Sequence, residues 1–71
     1  MSKQEAKQLA KAALSTVAYN DPSPVADTTV LFQNQDGSYS VVDNGEEVSG
    51  LDANGAIRII VENLTAGNEE A

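Results

Sequence analysis

Seventy-one residues, with 4 Lys and Arg against 11 Asp and Glu for a formal charge of −7, describe one small domain and exclude a two-domain enzyme. Ten of the 29 hydrophobic residues are alanine, so the core is thin, and a chain of this size buries only about 60% of its unfolded surface. With no Cys and no His, neither disulfides nor the thiolate and imidazole ligand sets of zinc, haem, iron–sulfur and copper can reinforce it, which leaves a second protein surface as the natural support.

Ser2-Lys3-Gln4-Glu5 has the pattern of a capping box. Behind it Ala6, Leu9, Ala10, Ala13, Leu14 and Val17 recur at i, i+3, i+4, i+7, i+8 and i+11, one apolar stripe with Lys3, Gln4, Lys7, Gln8, Lys11 and Ser15 opposite. This spacing predicts an N-terminal helix. Asn20-Asp21-Pro22-Ser23-Pro24 ends it, because each proline lacks a backbone donor and disfavours the α region for the residue before it.

Thr28 to Asn34 is a β-branched and aromatic run, Gln35-Asp36-Gly37-Ser38 a turn, and Tyr39 to Asp43 a second run, together a predicted hairpin. Val30 and Phe32 share one face and are expected to be buried; Tyr39 and Val41 share another. Asp43-Asn44-Gly45-Glu46 repeats the turn chemistry, and Glu46 to Ser49 is expected to add a short acidic edge strand. Tyr19, Val25, Leu31, Val42, Leu51 and Ile59 fall outside the expected buried faces, which makes several of them candidates for exposure at an interface.

Residues 53–64 read in two ways. Ile57-Arg58-Ile59-Ile60-Val61 favours a strand by propensity, yet Ala53, Ala56, Ile57, Ile60, Val61 and Leu64 keep helical spacing with Asn54, Arg58 and Glu62 opposite. Helix is the preferred reading, with Ser49-Gly50-Leu51-Asp52 as a second capping box and Gly67 as its stop. The expected fold class is α+β, a small two-layer domain over residues 1–67: N-terminal helix, antiparallel β-hairpin or three-stranded meander, C-terminal helix. Residues 68–71 are expected to be a flexible acidic tail.

Chemistry is sparse. Without imidazole or thiolate, acid–base work falls to carboxylates, three lysines and two tyrosines, and a domain this small has little room for the cleft that carboxylate catalysis needs, so no enzyme is expected. Calcium loops fail because Gly37, Gly45 and Gly55 would put Phe32, Ser40 and Gly50 at the first ligand position. The glycine spacings match no phosphate-binding loop, and no cofactor or metal is expected.

Charge is the informative feature. Residues 1–11 hold three cations and one acid, for +2, while residues 12–71 hold one cation and ten acids, for −9. Lys3, Lys7 and Lys11 form a basic stripe without interleaved aromatics, a poor nucleic-acid contact on a protein whose field repels phosphate. Asp36, Asp43, Glu46, Glu47 and Asp52 are the candidate partner-binding residues, read either as solubilising turn formers or as an acidic patch that meets a basic surface.

Asp36-Gly37-Ser38-Tyr39-Ser40-Val41, then Ser49-Gly50, Asp52, Ala56 and Glu62-Asn63-Leu64, resemble in layout the hairpin-plus-helix arrangement of HicB-type antitoxins. The resemblance spans Val30 to Leu64; it departs from the family at Gly55, where a glutamate is usual, and gives the N-terminal helix no counterpart. The function expected is a small acidic protein-binding module, an inhibitor that occupies a basic surface of a nuclease or other nucleic-acid-binding protein, of antitoxin or phage counter-defence type. The alternative is a non-enzymatic structural or assembly protein, such as a small phage virion or scaffold component that oligomerises. The partner expected is a protein with a basic surface, with homodimer or higher homo-oligomer formation also open, and with neither direct nucleic-acid nor membrane contact. The expected location is cytoplasmic, the host cytoplasm if the chain is phage-encoded.

Overall fold

A computed structural model describes residues 2–65, so the expected tail at 68–71 and the Gly67 stop lie outside the described residues. The order is α1 (Lys3–Thr16), β1 (Ser23–Pro24), β2 (Thr29–Gln33), β3 (Tyr39–Asp43), β4 (Glu46–Leu51) and α2 (Ala53–Thr65). The four strands form one antiparallel sheet in the order β1-β2-β3-β4, and the residues between 53 and 64 are helical. The fold is α+β, with one more strand than the expected three.

Helix α1 starts as its capping box dictates: the Glu5 amide donates to Ser2 Oγ at 3.1 Å and the Ser2 amide donates to Glu5 Oε1 at 3.3 Å. It stops at Thr16, earlier than the apolar stripe suggests, because Val17 is already extended (φ −69°, ψ 142°). Helix α2 takes its cap from Asp52, whose Oδ1 accepts from the Gly55 amide at 2.6 Å; Ser49, the expected capping residue, lies inside β4.

Register decides which sheet face is covered. Ser23, Leu31, Val41 and Val48 stand opposite one another across the four strands, and Leu31 and Val41 join Ala10, Ala13, Ala56 and Ile60 in a single core cluster, so both helices lie on this face. The Val30/Phe32 face, expected to be buried, is the opposite one: Leu31 is 0% exposed, whereas Val30 and Phe32 are half-buried on the side without helices. Both faces of β2 are apolar, so composition leaves the choice open, and pairing with Val41 settles it.

Leu51 reaches the core by a β-bulge. Between the pairs Val41↔Val48 and Tyr39↔Leu51, β3 has Ser40 alone whereas β4 has Ser49 and Gly50. Gly50 takes φ +74°, a backbone region closed to most side chains, and the extra residue turns Leu51 onto the helix side, where, opposite Tyr39, it packs against the core as Val25 and Ile59 also do. Leu31, Val25, Leu51 and Ile59 are therefore core or core-packed residues instead of surface ones. The largest fully buried apolar side chains are Leu31, Ile60 and Val41. Such a core is small, and the alanine face of α1 (Ala6, Ala10, Ala13) lets α1 and α2 close over it.

Candidate protein-binding face

The five acids singled out in the sequence are distributed over the sheet's two ends, and three of them have work inside the fold. Asp36 closes the β2–β3 turn: its Oδ1 accepts from the Ser38 amide at 3.0 Å and the Ser38 hydroxyl at 2.7 Å, and these bonds hold its carboxyl below the usual 3.8. Asp43 accepts from the Thr29 hydroxyl at 2.8 Å and the Thr28 hydroxyl at 3.2 Å, which satisfies a threonine buried against the core. Asp52 is the α2 cap. Asp36 lies in the turn before β3 and Asp43 is the last residue of β3, whose five residues span roughly 13–16 Å at about 3.3 Å per residue, so the two stand at opposite ends of the sheet.

Glu46 and Glu47 are exposed on the edge strand and point to opposite faces, since Glu46 pairs with Asp43 and Glu47 with Val42. Glu47 thus belongs to the face without helices, in the cross-strand row Pro24-Val30-Val42-Glu47. One further acid joins that face. The segment after α1 runs beside β2: Ala18 and Asp21 exchange backbone hydrogen bonds (Asp21 N to Ala18 O, 2.8 Å; Ala18 N to Asp21 O, 3.2 Å), Asn20 takes φ +68°, and Tyr19 makes a parallel bridge to Gln33.

A recess of about 450 Å³ results, with Phe32 and Val42 in its floor, Tyr19 and Pro22 on its loop wall, and Asp21 and Glu47 among its lining. At one end Asn34 Nδ2 donates to Ser40 Oγ at 2.9 Å and to Ser38 Oγ at 3.0 Å, so the buried Ser40 has a partner. Tyr19 is 53% exposed. Two of the three aromatic residues in the chain, Tyr19 and Phe32, lie here and not in the core.

Charge divides with the layers. No Lys or Arg occurs between Lys11 and Arg58, and residues 17–52, which make the sheet and its connections, carry seven acids (Asp21, Asp27, Asp36, Asp43, Glu46, Glu47, Asp52) and no cation. All four cations are on the helices. Lys3, Lys7 and Lys11, with Gln4, Gln8 and Val61, line a separate groove of about 480 Å³ beside α2. Among the described residues no three Asp or Glu side chains are grouped to hold a metal ion, and no helix is long and apolar enough to cross a membrane.

The sequence reading missed Asp21, which looked like helix-stop chemistry, and placed Phe32 inside. The signal present was the absence of any cation across 12–57 together with an apolar residue at every position of Val30-Leu31-Phe32, the mark of a strand with two apolar faces. The chain matches no protein-family model, no curated protein and no solved structure.

Proposed function

We propose that this protein is a non-catalytic, acidic binding module that occupies a basic surface of a nuclease or other nucleic-acid-binding protein, as an inhibitor does. One observation carries the reading: the whole sheet layer bears seven acids without a cation, and among the described residues one of its apolar faces has no helix over it. Uncompensated carboxylates supply long-range attraction and association rate, and the open apolar face supplies short-range contact. A nucleic-acid-binding groove, being basic, is the natural complement, and the cytoplasm is where such a target works. Assembly through the alanine-rich helix has less support, because Ala6, Ala10 and Ala13 are spent inside the domain.

The test is competition. Fluorescent duplex DNA bound to a panel of basic nucleases and DNA-binding proteins is titrated with the module, and displacement is followed by anisotropy. At least one panel member is expected to release its DNA at micromolar module, with an apparent affinity that falls as salt rises. The double variant Glu46→Lys/Glu47→Lys, which disturbs no cap or turn bond, should lose tenfold or more in displacement. No displacement of any member at low salt would end the reading.

A further inference from the structure

We infer that the recess on the helix-free face of the sheet is an arginine-selective docking site, which takes one or more arginine side chains of a partner protein's surface. This rests on the binding-module reading and names the part of the molecule that confers its selectivity.

Three features of the recess point to arginine. Its floor and wall hold Phe32 and Tyr19, flat π-surfaces on which a planar guanidinium stacks and on which a compact, strongly hydrated ammonium gains less. Asp21 and Glu47 stand on opposite sides of that floor, one in the loop beyond β2 and the other on β4, so they are separated by about two to three strand spacings of ~4.8 Å. This gap is too wide for one cation to bridge, and it suits basic side chains laid across the strands with a carboxylate at either end. Polar acceptors complete the lining: Asn34, which shares the face of Phe32, and the backbone of the 18–22 turn, whose Ala18–Asp21 hydrogen bonds tie its two ends together. The site is preorganised and so loses little conformational entropy on binding.

Glu46 is the internal control. It neighbours Glu47 in the chain, has the same charge, is likewise exposed, and points to the other face. General acidity makes the two glutamates equivalent; docking in the recess makes only Glu47 matter.

The probe is a pair of peptides, nonaarginine and nonalysine, titrated into isotopically labelled full-length protein at about 0.5 M salt, where the Debye length is roughly 4 Å and diffuse attraction is screened. The expected result is amide shift changes concentrated at Tyr19, Asp21, Phe32, Val42 and Glu47, and nonaarginine bound at least threefold more tightly than nonalysine. Tyr19→Ala should weaken nonaarginine about three- to tenfold, and Asp21→Asn and Glu47→Gln should each weaken it, while Glu46→Gln changes it less than twofold. These side chains are exposed, so the variants fold. Equal losses in Glu46→Gln and Glu47→Gln, or shifts centred on the Asp43–Glu46 turn, would overturn the docking site and leave the acidic-module reading standing. Peptide-free, concentration-dependent shifts at the same five residues, abolished by Lys7→Glu, would overturn it in favour of a second copy's lysine stripe. Retained DNA displacement without any nonaarginine binding would also overturn the site; loss of both would remove the module reading with it.

Discussion

The two faces of the sheet differ less in composition than in what lies over them. On one side, Ser23-Leu31-Val41-Val48 runs beneath two helices; on the other, Pro24-Val30-Val42-Glu47 runs beside Phe32, flanked among the described residues by the 18–22 turn. The helix-side row includes a serine and an edge valine that is 43% exposed, and the open row includes two valines and a proline. Apolar content therefore does not separate core from surface here. A domain with two helices covers one face, and the uncovered one keeps its aromatics and is bordered by acids.

The comparison breaks most visibly at Leu31. Leu31→Ala should cost about 2–5 kcal/mol, against a total stability of about 4–10 kcal/mol for a chain of this length, so the urea midpoint should fall by roughly half, and an unchanged midpoint would contradict the place of Leu31 in the core. A matched pair sharpens it further. Val41→Thr puts a hydroxyl into the core and should cost about 1–3 kcal/mol, whereas Val42→Thr, one residue on and facing the recess, should stay within about 0.5 kcal/mol. Equal losses would mean that the open face is held in the core after all.

Gly50→Ala comes next. A Cβ there meets no neighbour, so the cost is the backbone conformation alone, about 1–2 kcal/mol, read as a drop in the thermal midpoint. Asp52→Ala should lose about 1 kcal/mol through the α2 cap, and Ser49→Ala almost nothing, which separates the observed cap from the expected one. The smallest effect is pH-dependent. Because the Ser38 bonds lower the Asp36 carboxyl in the folded state, their contribution is present above the unfolded value and fades as pH falls through 3.8 and below. The stability difference between wild type and Asp36→Asn should shrink over that acidic range, and a difference that grows on acidification would contradict the turn geometry.

Short-range features were legible residue by residue. The Ser2/Glu5 box, the Asp36-Gly37 and Asn44-Gly45 turns and the period of both helices depend on neighbours within four or five positions, and each stands where the spacing puts it. The lopsided charge was equally plain, since it needs only counting. What depended on distant pairing was not legible. Leu31 is inside and Phe32 outside because of register with Val41, and Leu51 turns inward because one extra residue at Gly50 reverses the alternation. The acids clustered between 36 and 52 separate because strands carry neighbours to opposite faces and opposite ends, while Asp21, far from them in sequence, arrives in the recess beside Glu47 because Tyr19, in the same turn, bridges to Gln33. Local hydrogen bonds and periodicity choose the elements; burial shared among elements remote in the chain chooses the face that is left for a partner.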